Sequence, residues 1–212
     1  IENGKSSNID GIPFKSIKED VLKNFRKGGL LIMNWTAPNY NGNEDILEEY
    51  AKKVANFLGS LQDDYGIKAP VVLNLFPIDG KSWYCQLSKD DYIDLYKKMQ
   101  DLLDDEDVSN VIYGYSEAYQ PGKNLMDRYP DHNIDVINVT YLQSRTSINL
   151  PLYDKSIKDI INQALPFAQE HNTAFGLTTG VESIGDSSVF ASTLLPELKQ
   201  HHIAYLMFGK NQ

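Results

Sequence analysis

Three carboxylates stand just past apolar runs of the chain: Asp79, Glu117 and Glu182. Paired carboxylates are the equipment for cleaving a glycosidic bond. A retaining mechanism needs them about 5–5.5 Å apart and an inverting one about 6.5–9.5 Å apart. Asp79 or Glu117 is the candidate acid and Glu182 the candidate nucleophile. The plainer reading makes Asp79 the first residue of an Asp79-Gly80 turn and Glu182 a solvated loop charge. The four histidines, His132, His171, His201 and His202, show neither triad nor ligand spacing. Cys85 is the single cysteine, so neither an intrachain disulfide nor a cysteine metal cluster is expected. Gly80-Lys81-Ser82 lacks the spacing of a phosphate-cradling loop. No metal or cofactor site emerges.

The same positions are rich in rings and amides. Trp35, Trp83, Tyr84, Tyr115, Tyr119 and Tyr141 follow or end apolar runs, with Thr36, Gln143, Thr178, Thr179 and Asn211 close by in the chain. Flat aromatic faces stack on the C–H face of a sugar ring, and amides and hydroxyls bond its edge. For any one ring, packing is the alternative, and Trp35 and Tyr115 sit nearest the core.

These residues need a frame. Six mostly continuous apolar runs recur at 30–35, 70–76, 110–115, 134–141, 173–179 and 203–209. Continuous rather than alternating runs suit parallel strands covered on both faces. Amphipathic patterns lie between them. The spacing predicts helices over 16–27, stopped by Gly28-Gly29, over 43–61, and over 88–103, where Ser88 and Asp91 form a capping pair. A fourth spans 157–171, with Pro166 forcing a kink or late start. A weaker one spans 187–200 and contains Pro196. Strands alternating with helices predict βα units. A closed eight-unit barrel takes about 250 residues, so six strands in 212 residues predict a barrel short of two units or an open sheet. One domain covers 1–212.

Composition removes other classes. The net charge is −9, with no Lys/Arg-rich run, so a nucleic-acid surface is not expected. No apolar run approaches the ~18 residues that span a bilayer. The first residues lack a signal-peptide pattern.

Taken in order, the segments resemble the family-26 glycoside hydrolases, typified by endo-β-1,4-mannanases. Asp10-Gly11-Ile12-Pro13-Phe14, a helix and Gly28-Gly29-Leu30 match the family's opening, and Asn34-Trp35-Thr36-Ala37-Pro38-Asn39 matches its S-W-H-x-x-N-P. Pro70-Val71-Val72 and Asp79-Gly80 through Trp83 match P-V-[IL]-F-R-P-F-H-E-M-N-G-x-W. Ser88, Asp91, Tyr92, Ile93, Leu95 and Tyr96 match the helix that follows. Asn110 to Ser116, Tyr129-Pro130-Asp131, Asp135-Val136-Ile137 and the closing Tyr205, Leu206, Lys210 and Asn211 extend the likeness over most of the chain.

The departures fall on the reacting positions. The resemblance puts the acid/base Glu on Pro77, the histidine before it on Phe76, the nucleophile Glu on Thr179 and the active-site histidine on Thr36. Proline cannot transfer a proton, and a threonine hydroxyl without a base is a poor nucleophile. The runs correspond to strands three to eight, implying two further βα units and a partner protein or chain segment that supplies them. The resemblance therefore implies an inactive mannanase-like domain binding a β-linked polysaccharide or oligosaccharide, secreted or held in the cell envelope. Two alternatives stay open: an active glycosidase with relocated carboxylates, and a structural or protein-interaction module.

Overall fold

The computed structural model describes residues 8–9, 12–143, 149–181 and 190–209. The chain forms two compact units, Ile1–Gly114 and Tyr115–Gln212.

The first unit opens with a short antiparallel pair, β1 (Asn8–Ile9) and β2 (Ile12–Pro13). There follow α1 (Phe14–Phe25), β3 (Ile32–Trp35), α2 (Glu44–Gly59), β4 (Val71–Leu75), a 3₁₀ turn (Trp83–Gln86), α3 (Lys89–Asp105) and the start of β5 (Val111–Ala118). Helix α1 stops where expected. Gly28 has φ +76°, and the Gly29 amide bonds the Asn24 carbonyl at 2.9 Å. Asn43 caps α2 by accepting from the Asp45 amide, and Ser88 caps α3 by accepting from the Asp91 amide while its hydroxyl bonds the Asp91 carboxylate. Strands β3, β4 and β5 run parallel, with Asn34 opposite Asn74 and Asn74 opposite Gly114. All five residues of β4 are buried. Leu47, Ala51, Val54 and Leu58 of α2 and Tyr92, Tyr96, Met99 and Leu103 of α3 fall at helical spacing and are buried.

The second unit holds the end of β5, β6 (Val136–Gln143), α4 (Leu150–Glu170), β7 (Ala174–Val181), a π turn (Phe190–Leu194), α5 (Leu195–Gln200) and β8 (Tyr205–Phe208). Strands β6, β7 and β8 are parallel, with Asn138 opposite Gly176 and Gly176 opposite Tyr205. Tyr153, Ile157, Ile160, Ile161, Ala164 and Ala168 form the buried stripe of α4.

All six expected strands are present, and the fold class is α/β with six parallel strands. Three details differ from the sequence expectations. Helix α4 begins at Leu150 rather than 157, because Asn149 caps it by accepting from the Leu152 amide and Pro151 suits a first turn. It then runs through Pro166. Strand β5 continues to Ala118, so Glu117 lies inside the strand rather than past it. Helix α5 is only six residues and buries none of them, and positions 187–189 lie outside the described residues.

Candidate functional site

In the first unit the C-terminal strand ends carry an aromatic cluster built on one strained residue. Phe76 follows β4 and is fully buried, with φ +46°, the left-handed region that bulky side chains avoid. Four contacts hold it there. Its amide donates to the Trp35 carbonyl at 3.1 Å, its carbonyl accepts from the Tyr92 hydroxyl at 2.9 Å, and its ring lies 5.1 Å from Trp35 and 5.4 Å from Tyr84. Pro77 comes next and is half-buried.

The segment then turns on Asp79. One carboxylate oxygen accepts from the Lys81 and Ser82 amides at 2.7 and 2.8 Å, and the other accepts from the Ser82 hydroxyl at 2.8 Å. Burial pushes this carboxyl up, but the donors from Ser82, Lys81 and the Cys85 thiol outweigh it and hold it below the ordinary value. A group so held is ionised at neutral pH. It serves the turn and is a poor proton donor.

Past the turn, Trp83 is half-buried, and its indole N–H donates to the Ala37 carbonyl at 2.8 Å. Its ring meets Tyr40 edge-on at 5.8 Å and Tyr84 at 5.6 Å. Tyr84 is fully buried, and burial pushes its hydroxyl up to about 12, against hydrogen bonds to Ser82 and Thr36. Trp35 is buried, and Thr36 is exposed.

In the second unit, alternation on β5 puts Tyr115 and Glu117 on one face and Ser116 on the other. Ser116 joins a polar row. Asn138 donates to Ser116 and Thr140 and accepts from Thr178 at 3.0 Å and from Tyr205 at 3.2 Å. Glu117 faces away from that row. It accepts from the Tyr115 hydroxyl at 2.8 Å and the Met126 amide at 3.0 Å, and burial pushes its carboxyl up against those two donors. Tyr115 is fully buried and meets Tyr129 edge-on. Tyr119 donates to Asp159 at 2.6 Å, and Tyr141 stacks on Tyr153; both are buried. Thr179 is fully buried, with its hydroxyl 2.7 Å from that of Tyr153 and donating to the Tyr141 carbonyl at 2.9 Å. Glu182 and Asn211 lie outside the described residues.

The structure thus brings Trp35, Thr36, Trp83 and Tyr84 together in the first unit, and in the second it brings Tyr119, Tyr141 and Thr179 together and pairs Tyr115 with Glu117. Of the six candidate rings, Trp83 alone is not buried. Tyr40 escaped the sequence reading as a site residue; the signal was its place just after Pro38-Asn39. Among the described residues, no group of three or more His, Cys, Asp or Glu could hold a metal ion, and no helix is long and apolar enough to cross a membrane.

No protein-family model matches the sequence. No curated protein matches it either. Solved structures do. A family-26 β-mannanase from Bacteroides ovatus superposes with a TM-score of 0.84 at 24% identity, covering 96% of this chain and 67% of that one. GH26C from Muricauda sp. gives 0.80 at 18% identity, covering 99% and 67%. An endo-β-1,4-mannanase from Cellulomonas fimi gives 0.78 at 18% identity, covering 93% and 52%. The chain spans about two thirds of the first two and about half of the third. At these identities the likeness is one of fold: over nearly its whole length, the chain has part of the barrel fold of the family-26 β-mannanases.

Proposed function

We propose that the protein is a non-hydrolytic carbohydrate-binding domain on a family-26 mannanase fold, taking a β-linked, mannan-like polysaccharide. One observation carries this reading. Every described group that could replace the family's two glutamates is occupied within its own unit. Asp79 is bound by its turn, Glu117 by Tyr115 and Met126, and the Thr179 hydroxyl by Tyr153 and the Tyr141 carbonyl. Pro77 offers no proton at all. The partly exposed ring of Trp83, pinned through its N–H, is what a sugar face could use.

The fold has eight units in the family, so the reading includes two further βα units, from a partner protein or from a further segment of the same protein. Strand β8 is an edge, with Met207 37% and Phe208 53% exposed, which is the kind of surface such units would cover. A polysaccharide ligand suits a secreted or envelope protein.

The test is affinity electrophoresis and calorimetry on soluble β-1,4-mannans, with a reducing-sugar assay run alongside. Binding without hydrolysis is expected, with binding lost in Trp83→Ala. Sustained release of reducing ends by the purified protein would refute the reading.

A further inference from the structure

We infer that Tyr40 is the residue through which this site would distinguish one sugar from another; the inference rests on the carbohydrate-binding reading of Trp83. Trp83 and Tyr40 come from the segments that follow two adjacent strands, β4 and β3. Their rings meet edge-on, with centroids 5.8 Å apart and planes at 61°. Both are half-buried, so they form a corner rather than a flat platform. A pyranose lying on one ring presents its edge to the other.

The polar handles of the pair are not equivalent. The indole N–H of Trp83 is spent on the Ala37 carbonyl at 2.8 Å. The Tyr40 hydroxyl makes no hydrogen bond among the described residues. Tyr40 itself is fixed from behind: its carbonyl accepts from the Asn43 amide at 2.9 Å, next to the Asn43 cap of α2. The ring is therefore held at the start of α2, with its hydroxyl unbonded among the described residues.

Stacking is tolerant, because every β-linked hexose offers a C–H face. A hydroxyl is not tolerant, because an unmatched buried polar group costs free energy on one partner only. Trp83 would thus supply affinity for the class, and Tyr40 would supply the choice within it. Manno- and gluco-configured sugars differ in the direction of one ring hydroxyl, which a fixed donor can read.

The experiment titrates the wild-type chain, Tyr40→Phe and Trp83→Ala with mannohexaose and cellohexaose by calorimetry. Tyr40→Phe keeps the ring and removes only the oxygen, so the edge contact and the fold are retained. The wild type is expected to prefer one sugar. Tyr40→Phe is expected to lose about fivefold to tenfold in affinity for the preferred one, the size of one net hydrogen bond, and to bind the two sugars alike. Trp83→Ala is expected to lose both. Wild-type binding to neither sugar would sink the underlying carbohydrate reading. Wild-type preference left unchanged in Tyr40→Phe would overturn the role of Tyr40 alone.

Discussion

Gly114→Ala should be destabilising in the native chain and harmless once Asn74 is removed. Gly114 sits in β5 opposite Asn74, and a Cβ added there would lie 2.1 Å from Asn74 Oδ1 and 3.1 Å from Val72 Cγ1. Asn74 is fully buried and donates to Asn34 at 2.7 Å, so it has nowhere to retreat without breaking that bond. Overpacking a tight core costs about 1–3 kcal/mol, and the lost hydrogen bond about 1 kcal/mol. Against this, Ala is better than Gly inside a strand by about 0.5–1 kcal/mol. The net is a loss of about 2 kcal/mol. With a urea slope of about 2 kcal/mol/M, the midpoint falls by about 1 M. In an Asn74→Ala background the main clash is gone and only the strand preference remains, so adding Gly114→Ala should leave the midpoint unchanged or raise it. Four urea curves complete the cycle. Equal losses in both backgrounds would show that Gly114 is required for some reason other than the approach of Asn74, and the reasoning would fail.

Three further outcomes follow from the site. Asp79 has a folded pKa held below its unfolded value, so it stabilises above the unfolded value of about 3.9 and loses that contribution as pH falls through the lower, folded pKa; the acid limb of a stability–pH profile should therefore flatten in Asp79→Ala. Glu117 has the opposite sign: its folded pKa is raised by burial, so the folded state is penalised increasingly as pH rises above the unfolded value of about 4.3. Glu117→Gln keeps an acceptor for Tyr115 and Met126 and should raise the urea midpoint at pH 7, with no advantage near pH 4. Thr179→Glu, which puts a carboxylate at this strand position, should lower stability by about 3 kcal/mol or more by burying a charge where a hydroxyl pairs with Tyr153; it should yield no hydrolysis, and mannanase activity with an unchanged midpoint would contradict this placement.

The frame was legible because its signals are local. Continuous apolar runs, the Ser88 cap and the Gly28-Gly29 stop are each readable within a few residues, and each appears where expected. The start of α4 is not legible because its cap, Asn149, follows a polar stretch and Leu150 and Leu152 are exposed, leaving no apolar stripe to mark it. Side-chain direction at the strand ends was not legible, since it depends on register and strand length. Extending β5 by three residues turned Glu117 from a loop carboxylate into a strand residue facing Tyr115. Aromatic content alone likewise could not separate Trp83, partly exposed, from Tyr84 beside it, fully buried.

Phe76 shows how the tip of β4 is used. A bulky residue in the left-handed region costs on the order of 1–3 kcal/mol and persists only where its surroundings impose it. Here they do: the Trp35 carbonyl fixes its amide, the Tyr92 hydroxyl fixes its carbonyl, and two aromatic rings clamp its side chain. The chain therefore leaves the strand in one direction, Asp79 closes the turn, and Trp83 reaches the Ala37 carbonyl. Each of these contacts places the loop, and none places a proton donor or a nucleophile. A segment so constrained around a partly exposed indole keeps one shape, which is what the proposed carbohydrate-binding reading requires of it.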